Sequence, residues 1–424
     1  MAWIKKHYYW IIVAIVLFQL FSFGGLGNTF ANIHVIPVTE DLGISRTQFS
    51  LPISLKGLFT TLGTFVSGFF LSRFGSKKTI AFGLLFISLT YFLLGLCLKQ
   101  YALLFLYCGM VGLGGGLCGT SVATKVITSW FHKHRGFILG LATSATTLGG
   151  SLLGILQPMA MERFQTYKAS FLLGAFLLLA AALLVIFFLK NTPEEMGLEP
   201  YGAGEEIIHR KKRIAEQARE GLAFEQMVRR PAFYLMIVCV LITCSTVYIA
   251  SSVMVPHLMD RGLALSQATA VNSYKHLLIS FFKLAVGALC DKIGAKKTVN
   301  LCLIFTSLGL VLYTMIGTAL PFAYFAATIM AIGSPVVMVL PPLLAFSLFG
   351  TRAQAQYTGI FLGMVSLSSM VCTIASNFIF DQFGSYNLAF LIVAGLGLAL
   401  VFLLYPLLFK LAEKDLDLAD ANKA

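Results

Sequence analysis

A chain of 424 residues that is 58% hydrophobic and only 12% charged, with mean hydropathy +0.85, has too little polar side chain to cover a soluble globule. The composition excludes a soluble domain and implies a polytopic membrane protein. The formal charge of +13 does not imply a nucleic-acid partner, because the basic residues sit in short links between apolar runs, where positive-inside topology accounts for them. In chain order, runs able to cross a ~30 Å hydrocarbon core fall at about 9–36, 48–71, 79–98, 102–130, 137–161 and 170–190. A second set falls at about 232–257, 267–290, 298–318, 320–349, 357–380 and 387–409. The first run is too long for a signal-peptide core and has no clear cleavage site, so it reads as a retained helix. Asn191 to Arg230 is different: Glu194, Glu195, Glu205, Glu206, Arg210, Lys211, Lys212, Arg213, Glu216, Arg219 and Glu220 give it the mixed charge of a solvated linker, partly an amphipathic surface helix. The expected organisation is a six-helix bundle over 1–190, a cytoplasmic linker over 191–230, and a second bundle with its tail over 231–424.

The links divide by charge. Arg73, Lys77, Lys78, Lys133, Arg135, the linker cluster, Lys292, Lys296, Lys297 and Arg352 share a side with both termini, whereas the other side has Arg46, Lys99, Arg163, Lys168 and Arg261. Both termini and the linker are therefore expected in the cytoplasm, with the chain multi-pass in the cell membrane. The eight cysteines form no CxxC or ligand-spaced set and read as packing thiols, and no cofactor or metal is expected.

An internal repeat fixes the register. Gly68, Arg73, Gly75, Lys77 and Lys78 recur as Gly287, Lys292, Gly294, Lys296 and Lys297 at a constant offset of 219, which also maps Glu162, Phe164, Tyr167 and Phe171 onto Asp381, Phe383, Tyr386 and Phe390. Six helices per unit preserve orientation, so the repeats are parallel, about an axis along the membrane normal. The fold class is an all-α membrane protein of twelve transmembrane helices in two pseudo-symmetric bundles. Gly75 and Gly294 permit a tight link, and Arg73 and Lys292 can reach the last carbonyls of the preceding helix.

GFFLSRFGSKK (Gly68 to Lys78) and GALCDKIGAKK (Gly287 to Lys297) resemble the signature loop of the major facilitator superfamily, at the expected place in both halves. With the twelve-segment plan, the resemblance covers essentially the whole chain. WFHKHRGFILG (Trp130 to Gly140) and FDQFGSYNLAF (Phe380 to Phe390) are similar to the monocarboxylate-transporter and oxalate/formate-antiporter branches. The acidic residue usual in the first loop is Ser72 here, whereas the second copy keeps Asp291, so the resemblance shifts the gating role toward Asp291.

Lys56, Lys125, Lys275 and Lys283 are the basic residues that fall within the spans. Each costs about 2.5–3.5 kcal/mol at mid-depth unless water, partners or snorkelling relieve it. Lys125 lies roughly 9 Å from Phe131 at helical rise, within snorkelling range of the surface. Lys283, about 12 Å before Asp291, can reach a central cavity. It also precedes Gly287 by four residues, where monocarboxylate-transporter relatives carry a substrate-binding arginine, so the resemblance implies an anion-binding role. Lys56 and Lys275 share the repeat offset. They either line an outward-opening anion path or serve as structural ammoniums capped by helix carbonyls.

His276, Ser280, Lys283 and Gly287 follow at spacings of four, three and four, a polar stripe on one helix face. Asn28 and Asn32 form a shorter stripe beside Gly24, Gly25 and Gly27, with Asn32 roughly where the monocarboxylate branch often has a lysine. Thr143, Thr147, Gln157 and Asn377 are weaker candidates, since intramembrane hydroxyls and amides often serve packing. Gly112, Gly114, Gly115, Gly116 and Gly119 on the fourth segment, and Pro335, Pro341 and Pro342 on the tenth, predict close packing and kinks.

Glu40, Asp41, Glu162, Asp260 and Asp381 fall near one set of links, and Asp291, the linker acids, Glu413, Asp415, Asp417 and Asp420 near the other; the span interiors hold none. Cation exporters and sugar or drug carriers driven by a membrane carboxylate need such a group. The expectation is a monomeric secondary transporter, a non-enzyme, for a small organic anion, a monocarboxylate or short dicarboxylate, coupled to protons or to a counter-anion. Multidrug export with the lysines as helix cement, and a non-transporting membrane sensor, are the alternatives. His132 and His134 lie in a short basic loop without a nucleophile triad or a metal set, which argues against catalysis.

Overall fold

The computed structural model describes residues 2–131, 135–202, 228–337, 354–408 and 410–411. His132, Lys133, His134, Lys211, Lys212, Arg213, the other linker charges beyond 202, Pro341, Pro342, Arg352 and the tail acids lie outside the described residues, as do the side chains of Arg135 and Asp291.

The first helices are α1 (Ala2–Leu42), α2 (Arg46–Cys97), α3 (Tyr101–Cys118), α4 (Thr120–Trp130), α5 (Arg135–Phe164) and α6 (Lys168–Phe188). They are followed by α7 (Pro231–Asp260), α8 (Leu265–Ile293), α9 (Ala295–Thr314), α10 (Leu320–Gly333), α11 (Gln354–Phe383) and α12 (Asn387–Ala399). At 52 residues, α2 is too long for one crossing of a ~30 Å core, since the α-helical rise is about 1.5 Å per residue. It breaks at Gly75, where φ 77° and ψ 170° turn the chain into a second limb. Conversely, α3 and α4 form a single span, Tyr101–Trp130, interrupted at Gly119. Among the described residues eight helices are long and apolar enough to cross a membrane, α2 with two limbs, and α10 is a shorter apolar helix of 14 residues.

Gly294 repeats the Gly75 break with φ 84° and ψ 155°, a region that only glycine adopts without strain. The link after each break is braced alike: Thr79 Oγ1 donates to the Gly75 carbonyl at 2.8 Å and Thr298 Oγ1 to the Gly294 carbonyl at 2.9 Å, again 219 residues apart. The first copy has an extra brace, because Asn191 Oδ1 accepts from the Lys77 amide at 2.8 Å.

Two compact units result, Met1–Arg210 with Leu258–Ser280, and Lys211–His257 with Phe281–Ala424. In the first, Ile12, Val16 and Leu20 of α1, Ile80, Leu84 and Ile87 of α2, and Phe171, Leu178 and Val185 of α6 are buried in one core. Glycine seams let the helices approach: a Cβ on Gly63 would overlap the Leu113 carbonyl, and one on Gly149 would overlap the Phe21 carbonyl. The glycine run of α3 thus serves close packing against α2, as its composition predicts. In the second unit, α9 packs on α10 and α12 around Met236, Val240, Leu303 and Tyr405, and a Cβ on Gly333 would overlap the Cys302 carbonyl. All eight cysteines are free thiols.

Candidate functional site

Within the first unit, α8 up to Ser280 lies antiparallel to α5. Thr147 Oγ1 and Ser280 Oγ share a hydrogen bond at 2.7 Å, and Ser151 Oγ donates to the Ser273 carbonyl at 2.7 Å. The approach depends on missing side chains: a Cβ on Gly154 would overlap Ser273 Oγ, and one on Gly150 would stand 3.2 Å from Asn28 Cβ and 3.6 Å from His276 Cγ. Asn28 Nδ2 donates to the Thr146 carbonyl at 3.1 Å, so α1, α5 and α8 meet at Gly150. The structure thereby brings together Asn28, His276 and Ser280, which the sequence offers as separate stripes. Asn32, one turn beyond Asn28 on α1, is buried.

The seam is unusually polar for its depth. Asn272, Ser273 and Lys275 of α8 and Gln157 of α5 are at most 1% exposed. Among the described residues, both polar atoms of the Asn272 amide, Ser273 Oγ, Lys275 Nζ and Gln157 Oε1 have no hydrogen-bond partner. A buried polar atom left unmatched costs about 1–3 kcal/mol, and a charged one more. Among the described residues no carboxylate falls at this level of α5 or α8. Among the described residues every Asp and Glu within a helix falls in its last turn or in a short turn, with Glu40 and Asp41 near the end of α1, Glu162 near that of α5, and Asp260 closing α7. Asn272 and Ser273 escape sequence reasoning, although Asn272 stands four residues before His276 and so extends the same stripe. The α5 half of the seam was signalled by Thr147 and Gln157, offered as weaker candidates, whereas Gly150, Ser151 and Gly154 were passed over although they are small residues at helical spacing.

The remaining candidates fall elsewhere. Lys283 is half-buried, three residues beyond Ser280 on α8. Lys56 lies inside the first unit, where Phe23, Gly27, Thr60, Tyr91 and Val111 help enclose a small cavity of about 40 Å³. Its ammonium stands 5.7 Å from the centroid of the Phe30 ring, within cation–π range. Lys125 is exposed, as snorkelling requires. Gly68 has open space where a Cβ would be, the Arg73 guanidinium lies 5.8 Å from the Phe74 ring centroid, and Lys292 is exposed. Asn377 is engaged in packing, accepting from the Tyr386 hydroxyl at 3.1 Å.

Two histidines that sequence reasoning passed over have similar settings. His34 Nε2 is 2.5 Å from Ser170 Oγ, with its ring stacked 4.4 Å from Phe171; His257 Nε2 is 2.9 Å from the Tyr313 carbonyl, with its ring 5.0 Å from Phe390. Phe171 and Phe390 are repeat counterparts, so each half uses a buried histidine to tie its first helix to the bundle. Two link contacts complete the picture. Arg46 forms a bidentate pair with Asp260 at 2.6 and 2.8 Å, joining the α1–α2 link to the end of α7. The Tyr167 hydroxyl donates to Asp41 at 2.6 Å, and burial together with that carboxylate pushes the phenol pKa up, so it stays a donor.

Comparison with known proteins agrees with this architecture. The family model of the Major Facilitator Superfamily matches residues 15–274 and 246–423. The chain is 24% identical to the hexuronate transporter of Bacillus subtilis (strain 168), over 89% of this chain and 90% of the relative. It is 23% identical to the oxalate:formate antiporter of Oxalobacter formigenes, over 99% of this chain and 96% of the relative. The solved structure of the nucleoside transporter NupG superposes with TM-score 0.74 at 11% identity, covering 95% of this chain and 99% of that one. Eight apolar membrane-long helices among the described residues, a doubled signature link with paired positive-φ glycines, and a family match over both halves together make this chain a multi-pass membrane transporter of the Major Facilitator Superfamily.

Proposed function

We propose that this transporter carries a small organic anion by alternating access, driven by proton symport or by exchange against a second anion, with both termini on the cytoplasmic side of the cell membrane. The observation that carries the reading is Lys275: its ammonium is fully buried without a hydrogen-bond partner among the described residues, while the helix carboxylates lie at the helix ends. A desolvated cation with no internal counter-charge is matched by an anion that arrives and leaves. Lys283 lies about two turns further along the same helix, and His276, Ser280, Asn28 and Asn32 are the polar residues on the Lys275 side. Lysine acts here as a point charge, without the planar fork of arginine. Lys56, enclosed in its own cavity, contributes field rather than contact. Gly68, Arg73, Gly75, Asp291, Lys292 and Gly294 belong to the links that flex between states. The names of two relatives, a hexuronate transporter and an oxalate:formate antiporter, are those of organic-anion carriers and support the reading.

The test is uptake of labelled lactate, oxalate, glucuronate and a hydrophobic cation into proteoliposomes, with and without a pH gradient. An anion is expected to accumulate, and Lys275→Ala and Lys283→Ala are each expected to lower its uptake by tenfold or more, the range for truncating one partner of a desolvated charge pair. Transport of the cation without competition from any anion would replace this reading with multidrug export.

A further inference from the structure

We propose that the transported anion is a polyhydroxylated carboxylate, of the sugar-acid type, rather than a plain short-chain acid. This rests on the organic-anion reading and deepens it. The buried atoms left unmatched on α5 and α8 among the described residues include both donors and acceptors. Lys275 Nζ and Asn272 Nδ2 can only donate, which suits a carboxylate. Asn272 Oδ1 and Gln157 Oε1 can only accept, and both are buried without a donor among the described residues. Ser273 Oγ can do either. A simple carboxylate offers acceptors alone, so it would satisfy the ammonium and leave the two amide oxygens unmatched.

The positions allow one ligand to meet these groups. Lys275 lies three residues after Asn272 on α8 and is therefore its neighbour on the helix surface. Ser273 adjoins Asn272 and abuts Gly154, while Gln157 is one turn beyond Gly154 on α5, so the antiparallel register holds both amides at neighbouring levels. A carboxylate on Lys275 with two or more hydroxyl groups reaching the amide oxygens pairs the ammonium and both of those oxygens. Sites built to hydrogen-bond a substrate hydroxyl discriminate strongly against the analogue lacking it, because the site's own polar atoms are then left unpaired.

The experiment compares matched acids by ligand-induced thermal stabilisation and by uptake, with the full chain in detergent and in proteoliposomes. The pairs are glucuronate with cyclohexanecarboxylate, gluconate with hexanoate, and glycerate with propionate, with glucose as the uncharged control. In at least one pair the hydroxylated acid is expected to bind tenfold or more tightly than its match, with glucose inactive. Gln157→Met and Asn272→Leu are each expected to weaken binding of the hydroxylated acid and to bring that ratio toward one, and a ligand-free melting temperature no lower than that of the parent shows the variants are folded. If the deoxygenated acid binds as well as its partner in every pair, the inference is overturned and the anion reading stands. If no acid of either kind binds, both are overturned.

Discussion

At the scale of single residues, Lys275 is a charge left without a partner among the described residues, and this has a measurable consequence for stability. An unpaired lysine at mid-depth costs about 2.5–3.5 kcal/mol on insertion scales, and replacing buried charge by apolar side chain of similar volume is often neutral or stabilising. Lys275→Met is therefore expected to raise the melting temperature of the ligand-free protein, by the equivalent of about 1–3 kcal/mol, and to abolish stabilisation by the transported anion. A lower melting temperature would mean instead that the ammonium is structurally engaged. Lys275 was legible in the sequence because a lysine in an apolar run with no intramembrane acid stands out on composition alone. Asn272 and Gln157 were not equally legible. An intramembrane amide most often serves packing, and only the opposing helix shows that these oxygens have no donor.

At the scale of elements, the doubled link is where sequence and structure agree most closely, and the disagreement between its copies is informative. The offset of 219 places Gly75 and Gly294 in register, and both adopt positive φ, because each link must reverse direction within a residue or two at the membrane surface. Holding a non-glycine residue in this positive-φ, extended-ψ region costs roughly 1–3 kcal/mol, so alanine should destabilise both sites. At Gly294 a Cβ meets open space, whereas at Gly75 it would stand 2.7 Å from Asn191 Oδ1, the atom that accepts from the Lys77 amide. Gly75→Ala is therefore expected to cost more than Gly294→Ala, by about the 1 kcal/mol of a lost helix cap. Comparing thermal or denaturant midpoints of the two variants tests this, and equal losses would leave the Asn191 brace without energetic weight. The brace itself could not be read from the repeat: position 410, the counterpart of Asn191, is a lysine, so the interaction belongs to one half only. The two limbs of α2, by contrast, were legible as separate apolar runs, and the backbone parts them at Gly75.

At the scale of the whole molecule, alternating access requires some contacts to break in every cycle, and the Arg46–Asp260 pair is the best-defined candidate. It is the one ion pair among the described residues, bidentate and only 15% and 27% exposed, and it joins links that come from different halves of the repeat. Sequence reasoning put both residues at the same membrane face but had no means of pairing them, since the partners are 214 positions apart and belong to no repeat register. A partly exposed pair is worth only about 0.2–1 kcal/mol, weak enough to open during turnover and too weak to hold the molecule shut. Neutralising it should consequently change the rate of transport more than the stability of the fold. A covalent tie should do the opposite. Arg46→Cys with Asp260→Cys, joined by a short cleavable thiol cross-linker in a background where the exposed Cys97 is replaced by serine, is expected to stop uptake and to recover it when the linker is reduced. The same double variant without cross-linker should transport, which separates arrest from misfolding. Undiminished uptake by the cross-linked protein would mean that these two links stay together throughout the cycle, and the moving contact would then have to be sought at the opposite face, in the signature links around Gly75 and Gly294.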